Sequence, residues 1–400
     1  MKYRILLIFS ILFSIVSCNA QNESSTSTVP LKTGAERTTE YLPLLLGKKV
    51  GVVANATSII DSTHLVDSLL NSGVQVTKVF APEHGFRGDH GAGDKVSDSK
   101  DVKTGLPLIS LYGSNKKPSN EMLKGLDVVI FDIQDVGARF YTYISTMHYV
   151  MEACAENKIP VIILDRPNPN GFYIDGPVLH SKFKSFVGMH PIPVVHGCTV
   201  GELAMMINGE GWLQNGLKCD LKVIPCEGYD HNTLYTLPVA PSPNLPNASS
   251  IYNYPSLCFF EGTIVSVGRG TELPFQIFGF PDDQSGVFEF TPKDIEGVVT
   301  NPPFEGQMCK GHNVQAFGEF YFPVNKQLYL IWLLDEYKSN PQIKDFFSRP
   351  EFFDKLMGTD MVRKQIEEGQ SEEEIRKSWQ SGLDSYKSMR KRYLLYKDFE

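Results

Sequence analysis

Apolar runs and amphipathic segments alternate along the chain from residue 48 to residue 165. The runs are short and apolar at nearly every position, as strands buried on two faces are, whereas the segments between them carry apolar residues at helical spacing. The predicted strands are Val50–Ala54, Val74–Ala81, Leu106–Leu111, Val128–Ile133 and Pro160–Leu164, and the predicted helices are His64–Asn71, Ser119–Lys124 and Thr142–Asn157. This alternation predicts an α/β fold, with a doubly wound parallel sheet covered by helices on both faces.

The pattern changes after about Gly176, where prolines and aromatic residues become more frequent and strand-like pieces alternate with long connections. Thr199 and Glu202 have the spacing of a capping box, which predicts a helix that continues through Ile207. Glu202 is therefore interpreted as a structural residue at the start of this helix.

The remainder of the chain predicts a different architecture. Residues 241–246 are rich in proline and indicate a rigid extended connector, whereas residues 261–276 indicate a strand, a glycine turn and a second strand. From Pro323 onward the pattern is mostly helical, and the last thirty residues predict a helix packed on the domain surface. We therefore place the doubly wound domain at residues 40–180 and a second, α+β domain at residues 181–400.

The N-terminal segment has the features of an export signal. Two basic residues precede the apolar run Ile5–Val16, which is too short to span a bilayer comfortably. Cys18 follows in the order that bacterial lipoprotein signals use, so residues 1–17 are predicted as a lipoprotein signal peptide and Cys18 as the lipidated residue. Residues 18–39 are polar and predict a flexible tether. We expect an exported protein, lipid-anchored and periplasmic or associated with the outer membrane, with plain cleavage of the signal as the alternative.

Composition and charge restrict the partners. The 400-residue chain has 38 Lys and Arg against 46 Asp and Glu, which gives a net charge of −8. No excess of positive charge is available to neutralise a phosphate backbone, so nucleic acid is excluded as a partner. An anionic ligand must be bound by individually placed arginines.

Signatures of several other enzyme classes are absent from the sequence: the Gly-x-Ser-x-Gly elbow, the His-Glu-x-x-His motif, the phosphate loop and the dinucleotide fingerprint. No cofactor and no metal is expected. His84, Asp89 and His90 could bind a metal, but no further ligand follows at a suitable spacing. Six cysteines follow the first one; Cys219 and Cys226 are the closest pair, and whether a disulfide forms stays open.

Ligands of open α/β sheets bind beyond the carboxyl ends of the strands. Residues 82–90, 132–139 and 165–171 follow three of the predicted strands and concentrate carboxylates, arginines and glycines. Loops carry polar residues in general, but this concentration at one predicted edge exceeds what connections need. The edge is therefore the candidate site.

Three carboxylates in these loops are candidate catalytic residues. Glu83 lies between two phenylalanines that would shield it partly from water, which suits a general acid. Its alternative role is capping or an ion pair with Arg87. Asp132 and Asp135 follow a buried strand three residues apart, and helix capping explains two such carboxylates less readily than one.

Other residues are candidates for ligand binding. Arg139 is a candidate for binding a carboxylate of the ligand, because a guanidinium binds a carboxylate through two hydrogen bonds. The alternative role is a salt bridge to Asp132 or Asp135. Arg269 lies between two glycines and could reach the cleft as a rigid finger, or remain a solvated turn residue. Asp165 and Asn168 belong to a proline-restricted loop that suits a ligand rich in hydroxyl groups.

Four stretches of sequence carry a resemblance to a known family: Pro82–Gly88, Phe131–Tyr143, Leu164–Pro169 and Phe260–Thr271. In these stretches, and over nearly the whole chain from about Thr38, the sequence resembles the NamZ-type exo-β-N-acetylmuramidases. The resemblance implies a Rossmann-like domain joined to a second domain, with the active-site cleft between them. It also implies a glycoside hydrolase that releases terminal, non-reducing β-linked N-acetylmuramic acid from peptidoglycan fragments.

This resemblance gives the candidate residues roles. Glu83 would be the general acid, and Asp132 or Asp135 would stabilise the oxocarbenium-like cation, activate water or orient the acetamido group of the substrate. Arg139 or Arg269 would bind the lactyl carboxylate of muramic acid. Further substrate contacts are assigned to His84, Arg87, Tyr141, Tyr143, Asp165, Asn168 and His196. The expected partners are muropeptides or MurNAc-GlcNAc disaccharides, with membrane contact only through the lipid anchor.

Two other functions compete with this interpretation. Two lobes around a cleft also suit a non-catalytic, lipid-anchored binding protein for cell-wall sugars. A metal-dependent amidase or deacetylase would act on the same fragments. Loss of cleavage with retained binding after Glu83→Gln distinguishes the hydrolase from the binding protein, and full activity after chelation excludes the metalloenzyme.

Overall fold

The computed structural model describes residues 29–83, 85–87, 99–113 and 115–400. The predicted signal peptide, Cys18 and His84 lie outside these residues. The strands are β1 (Lys49–Ala54), β2 (Ile59–Ile60), β3 (Thr63–His64), β4 (Gln75–Ala81), β5 (Ser99–Lys100), β6 (Pro107–Ser110), β7 (Val128–Asp132), β8 (Val161–Leu164), β9 (Leu221–Ile224), β10 (Ile277–Phe280), β11 (Phe288–Phe290) and β12 (Cys309–Asn313).

The α-helices are α1 (Thr38–Leu45), α2 (Leu65–Asn71), α3 (Asn120–Leu123), α4 (Tyr143–Glu156), α5 (Val200–Gly209), α6 (Ala248–Leu257), α7 (Gln315–Asn325), α8 (Ile331–Ser339), α9 (Pro350–Met357), α10 (Met361–Glu367) and α11 (Glu372–Arg390). Short 3₁₀ helices cover Gly34–Glu36, Ser181–Phe183, Gln214–Gly216 and Cys258–Gly262. The predicted flexible tether, residues 18–39, is therefore wrong at its C-terminal end: Lys32 pairs with Glu227, Ala35 is fully buried and α1 begins at Thr38. The five strands and three helices predicted in the first half of the chain are confirmed to within one residue at each end.

A seven-stranded sheet organises the first half of the molecule, in the order β5-β6-β4-β1-β7-β8-β9. All neighbouring strands are parallel except the short β5, which pairs antiparallel with β6. The six parallel strands therefore follow the order 3-2-1-4-5-6 of a Rossmann fold. The chain reverses its direction of winding between β1 and β7, which makes the carboxyl ends of these two strands the expected ligand-binding edge.

Both faces of the sheet are buried, which explains the apolar runs in the sequence. On β7, Val128 and Ile130 pack into one cluster, and Val129 and Phe131 pack into the other, because successive side chains of a strand point to opposite faces. The larger cluster continues into the second half of the chain, where it includes Phe278. The two halves of the molecule thus share one hydrophobic core.

The sheet extends beyond the predicted domain boundary at residue 180. Strand β9 pairs with β8 from Val161↔Leu221 to Leu164↔Ile224 and forms the edge of the sheet. Only four residues long, with an exposed lysine within it, β9 lacks the continuous apolar run by which the other strands were recognised. The predicted strands within residues 261–276 are wrong, because the end of a 3₁₀ helix and turns occupy this range. The next strand, β10, begins only at Ile277.

The second half contains the three-stranded antiparallel sheet β10-β12-β11 and the helices α6 to α11. The predicted helical C-terminal region is confirmed. On α11, Trp379 and Tyr386 are buried, and the Tyr386 hydroxyl donates a 2.7 Å hydrogen bond to the carbonyl of His196. The buried Arg390 donates to the carbonyl of Gly197 and pairs with Asp398. The last helix thus fastens the C-terminal segment to a loop of the first half.

Two local expectations have clear outcomes. The helix α5 begins with the predicted capping box, in which Thr199 N donates to Glu202 Oε2 and Glu202 N donates to Thr199 Oγ1. The six described cysteines, including Cys219 and Cys226, are buried free thiols. Within the described ranges, no helix is both long enough and apolar enough to cross a membrane.

Candidate active site

A pocket lies where the loops after β4 and β7 meet residues of the second half of the chain. Its walls are formed by Glu83, Phe140, Tyr141, Thr142, Tyr143, Ser242, Asn244, Leu245, Tyr254, Arg269 and Phe275. Five of these eleven residues are aromatic and five others have polar side chains, a mixture that is typical of sites for small ligands. The structure therefore brings together Glu83, Tyr141, Tyr143 and Arg269 of the predicted site residues.

Glu83 is the only carboxylic residue among the described residues that line this pocket. Its side chain is half-buried and oriented by two neighbours. The Tyr112 hydroxyl donates to Oε1 at 3.0 Å, and the Thr142 hydroxyl donates to Oε2 at 3.4 Å. Arg87, the alternative ion-pair partner suggested by the sequence, pairs with other carboxylates. Glu83 is thus held in position by hydroxyl groups, without a cationic partner among these contacts.

Two tyrosines join the loop after β7 to the proline-rich connector. Tyr141 donates a 2.7 Å hydrogen bond to the carbonyl of Pro241, and the Tyr143 hydroxyl lies 3.3 Å from the same oxygen and 3.5 Å from the Glu83 carbonyl. Burial raises the pKa of both phenols well above the ordinary value, so they remain neutral hydroxyl groups at physiological pH. They fix the pocket wall beside Glu83.

Arg269 reaches the pocket from the second half of the chain, which agrees with the first of the two roles that its glycine-flanked position left open. Its Nε donates to Glu261 Oε1 at 2.6 Å, and its guanidinium lies 5.0 Å from the centre of the Phe275 ring. The side chain keeps 22% of its surface exposed. Arg269 also lines an adjoining, mostly apolar groove of about 400 Å³, together with Arg349. The guanidinium therefore stands between the pocket and this groove.

Asp132 does not line the pocket. It is completely buried, and Arg166 binds both of its oxygens, with Nε 2.6 Å from Oδ1 and Nη2 2.8 Å from Oδ2. A bidentate pair of this kind neutralises the charge of the carboxylate and holds both of its oxygens in place. The structure places Asp132 beneath the strand ends as a structural ion pair, which does not fit the predicted catalytic role.

Asp135 and His196 form a second buried group close to the pocket wall. Asp135 Oδ2 accepts a 2.7 Å hydrogen bond from the amide of Gly137 and lies 3.7 Å from His196 Nε2. Asp135 Oδ1 and His196 Nε2 have no hydrogen-bond partner among the described residues. Neither side chain reaches the described pocket surface.

The structure does not bring Arg139 or Arg87 into the pocket. Arg139 is fully buried and donates to the carbonyls of Pro177, Ile192 and Leu356, each at 2.8 Å. Burial lowers the pKa of this guanidinium to about 9. The predicted carboxylate-binding role of Arg139 is not possible in this position, and neither is the alternative salt bridge.

Arg87 is held by two carboxylates instead of a ligand. It pairs with Asp101 at 2.8 Å and with Asp67 at 3.1 Å, and the guanidinium holds the pKa of each carboxyl below its usual range. About 30% of the Arg87 side chain stays exposed. Its contacts stabilise the loop that carries Glu83, which makes it a positioning residue.

Asp165 and Asn168 are buried and bonded within the protein. Asp165 accepts hydrogen bonds from the Thr199 hydroxyl and the Gly201 amide, both at 2.7 Å, and thus binds the N-terminus of α5. Asn168 donates to the carbonyl of Cys198 at 2.8 Å and accepts from the amide of Asn170. Their predicted contacts to a ligand are therefore replaced by contacts that order the strand-end loops.

Sequence reasoning missed several residues of the pocket. Ser242 and Asn244 belong to the segment interpreted only as a rigid connector, and the buried Asn244 Oδ1 has no hydrogen-bond partner among the described residues. The alternation of proline with small polar residues in 241–246 resembles that in 165–171, and this composition was the available signal. Tyr254, on α6, gave no comparable signal, because its position in the pocket depends on packing of the two halves.

Fold and site together define a class: a two-part α/β protein whose ligand pocket, with one carboxylic acid and one arginine, lies beyond the strand ends of a Rossmann-type sheet. Two family models match the chain, "Exo-beta-N-acetylmuramidase NamZ, N-terminal" over residues 50–249 and "Exo-beta-N-acetylmuramidase NamZ, C-terminal" over residues 252–396. The chain belongs to this NamZ family, as its motifs predicted.

Known relatives agree with this assignment. The peptidoglycan beta-N-acetylmuramidase NamZ of Bacillus subtilis (strain 168) is 40% identical over 377 residues, which cover 89% of each chain. Two crystal structures of DUF1343 family proteins from Bacteroides fragilis have similar folds. The first structure has a TM-score of 0.85 and is 47% identical, and the match covers 92% of this chain and 100% of the first relative. The second has a TM-score of 0.76 and is 31% identical, and the match covers 92% of this chain and 99% of the second relative.

The structural role of Asp165 predicts a specific pH dependence of stability. Burial raises the pKa of Asp165 from about 3.8 to about 6, so the folded protein binds this proton more tightly than the unfolded chain. Tighter proton binding by Asp165 in the folded state adds on the order of 3 kcal/mol to the free energy of unfolding below about pH 3.8. This stabilisation is lost as the pH rises through about 6. In Asp165→Asn this titration is absent. The unfolding free energy of the wild type minus that of the variant should therefore fall between pH 4 and pH 6.5, measured by denaturant unfolding; a constant difference would contradict the assignment.

Proposed function

We propose that this protein is an exo-acting glycoside hydrolase that releases non-reducing terminal β-N-acetylmuramic acid from peptidoglycan fragments. The observation that carries the proposal is the joint placement of Glu83 and Arg269 in one pocket, in a chain of the NamZ family. A proton donor for the leaving oxygen and a cation for the lactyl carboxylate are two of the groups that hydrolysis of a muramic acid glycoside uses. MurNAc-GlcNAc disaccharides, in which the lactyl carboxylate is free, are the proposed preferred substrates. Muropeptides, in which this carboxyl group forms the amide bond to the stem peptide, are proposed as the poorer substrates.

Glu83 is the proposed general acid. Its half-buried carboxyl group stands among aromatic side chains and is oriented by the hydroxyl groups of Tyr112 and Thr142. As the bond to the sugar breaks, the leaving oxygen develops negative charge, and a carboxylic proton delivered there lowers the barrier. The sugar becomes oxocarbenium-like at the same moment, and the acetamido oxygen of the substrate bonds to C1. Water then displaces this oxygen from C1 and gives a proton to the ionised Glu83, which restores the acid and releases N-acetylmuramic acid. Asn244 Oδ1 supplies a free acceptor in the same wall for a hydroxyl or acetamido N–H of the sugar.

Arg269 is the proposed anchor for the lactyl carboxylate that distinguishes muramic acid from glucosamine. Its Nε is used by Glu261, whereas the remaining guanidinium nitrogens keep donors for a ligand. The ion pair and the Phe275 ring restrict the position of the guanidinium before the ligand binds. A preorganised arginine loses less conformational freedom on binding than a mobile one.

The N-terminal sequence supports a proposed location for this activity. A lipoprotein signal peptide at residues 1–17 and lipidation of Cys18 would hold the enzyme at a membrane surface outside the cytoplasm. The polar residues between Cys18 and Lys32 would separate the catalytic part from that membrane, since the chain from Lys32 onward belongs to the folded part. Peptidoglycan fragments arise in the same compartment, so anchor and activity are consistent with each other.

Glu83→Gln tests the proton-donor role. With MurNAc-GlcNAc as substrate we expect kcat/KM to fall by about 10²–10⁴-fold, because the amide cannot protonate the leaving oxygen. With a dinitrophenyl MurNAc glycoside the loss should be much smaller, since that leaving group departs without protonation. The matched control is Glu121→Gln, an exposed residue of α3, which should behave as wild type. Equal losses on both substrates would indicate a structural effect of the substitution. If the unmutated protein bound MurNAc-GlcNAc but did not cleave it, the protein would be a sugar-binding protein.

Arg269→Lys tests recognition of the lactyl group. Lysine keeps the positive charge beside Glu261 but lacks the planar pair of N–H donors that binds a carboxylate through two hydrogen bonds. We therefore expect kcat/KM for MurNAc-GlcNAc to fall by about 10–100-fold, the equivalent of one charged hydrogen bond. A substrate with an amidated lactyl carboxylate should be hydrolysed slowly by the wild type and hardly more slowly by the variant. Arg363→Lys, which affects an ion pair with Asp354, is the control. An unchanged preference for the free carboxylate would contradict the assignment.

Cys18→Ala tests the lipid anchor. In a bacterial host that processes lipoproteins, the wild-type chain should sediment with the membrane fraction, whereas the variant should be recovered in the soluble or uncleaved pool. Ser25→Ala in the tether should sediment as the wild type does. Wild-type protein found only in the soluble exported fraction would refute lipidation and favour plain cleavage of the signal.

A further inference from the structure

Three ionisable side chains converge in the second half of the molecule, away from the walls of the pocket. They are Asp283, in the turn after β10, His312, on β12, and Glu336, on α8. Each offers one ligand atom, and these three atoms lie within 4.8 Å of one another. Three segments distant in the sequence therefore place an imidazole and two carboxylates around one point.

The charges of this group are unbalanced. Asp283 and Glu336 are 3% and 1% exposed, and no lysine or arginine of the described ranges lies within salt-bridge distance of either. The single cationic candidate is His312, whose Nε2 lies 3.2 Å from Glu336 Oε1. Even a protonated imidazole leaves one buried negative charge uncompensated, and buried charges are normally paired or bound to a metal.

A second observation points to a missing ligand. Asp283 Oδ2 is buried and has no hydrogen-bond partner among the described residues. The other oxygen, Oδ1, accepts from the amide and the hydroxyl of Ser285 at 2.7 and 2.8 Å. A buried polar atom left without a hydrogen-bond partner costs about 1–3 kcal/mol, so such an atom needs an explanation.

The donor atoms have the spacing of a small metal site. Ser285 Oγ lies 2.8 Å from Asp283 Oδ1, 3.1 Å from His312 Nε2 and 3.3 Å from Glu336 Oε1. One hydroxyl proton satisfies only one of these atoms. A tetrahedral Zn²⁺ with ligands at about 2.0–2.2 Å separates its donor atoms by about 3.3–3.6 Å. Ser285 Oγ, His312 Nε2 and Glu336 Oε1 lie 3.1–3.3 Å from one another and need only a small expansion, and the ligand atom of Asp283 lies within 4.8 Å of the other two ligand atoms.

Neighbouring groups orient the ligands. Asn340 Nδ2 donates to Glu336 Oε2 at 3.3 Å, and the amide of Gln284 donates to Asn340 Oδ1 at 3.3 Å. The Ser285 amide fixes Asp283 in the same way. Metal ligands are commonly held by such a surrounding layer of hydrogen bonds.

We propose that Asp283, His312 and Glu336 bind one divalent transition-metal ion, with Ser285 Oγ or a water as a further ligand and Zn²⁺ as the best match to the donor set. One imidazole nitrogen with two carboxylates favours Zn²⁺ or Mn²⁺ over Ca²⁺ and Mg²⁺, which prefer oxygen ligands alone. The ion is structural: it joins the turn after β10, strand β12 and helix α8. It contributes nothing to the chemistry at Glu83, because none of its ligands lines that pocket.

The first experiment measures metal content and stability on the folded, full mature chain. After dialysis against a chelator, titration with ZnCl₂ should show one tight site per chain by calorimetry and elemental analysis. Saturating Zn²⁺ should raise the Tm by at least about 2 °C, because an ion that binds only the folded state stabilises it. MnCl₂ should give a smaller shift and CaCl₂ none. No saturable site, or an unchanged Tm, would overturn the proposal in favour of a hydrogen-bonded group without an ion.

The second experiment assigns the ion to these residues. His312→Gln changes a half-exposed side chain and should abolish both the tight site and the Tm shift, whereas His180→Gln, at an exposed histidine, should retain both. In Asp283→Asn, the metal-free protein should have an equal or higher Tm than the metal-free wild type, because one repelling charge is removed. Zn²⁺ should no longer stabilise it. One retained equivalent of Zn²⁺ in His312→Gln would place the ion elsewhere and refute the site.

Discussion

The buried ion pair between Asp132 and Arg166 is the interaction on which the ligand-binding edge depends. It connects the end of β7 to the loop after β8, and Arg166 also donates to the carbonyl of Ile59, beyond β1. Ser58 donates to the carbonyl of Asp132 from the same side. Strands that are merely parallel would leave their terminal loops independent. This ion pair fixes the loops that follow three of the strands. Removal of one partner is expected to lower the free energy of unfolding by about 3–5 kcal/mol.

Rossmann topology then decides where a ligand can bind, and the second half of the chain decides what the site contains. The winding reverses between β1 and β7, which opens a crevice at their carboxyl ends. Residues of the second half, Arg269 and Phe275 among them, close one side of this crevice. The shared hydrophobic core holds the two halves together, so acid and guanidinium keep a defined relation across the pocket.

Arginines with the same chemistry have different functions according to the partners that surround them. Arg139 satisfies three backbone carbonyls in the interior, and Arg87 stabilises a loop through two aspartates. Arg269 is partly exposed and has one glutamate beside it. An acidic protein binds an anion only where such a partly satisfied cation reaches a cavity. In the described pocket wall, that position belongs to Arg269.

The sequence by itself determined five of the seven strands of the sheet and the family, because strand periodicity and contiguous motifs are local properties of a chain. It also made Glu83 and Arg269 candidates for the site. It also identified Thr199 and Glu202 as a helix cap. Only the tertiary structure decided that Asp132, Arg139 and Asp165 serve the fold, since a carboxylate or guanidinium is available to a ligand only when its hydrogen bonds are not already made inside. The short strand β9 and the pocket residue Asn244 likewise depend on partners far away in the sequence, which no local pattern reveals.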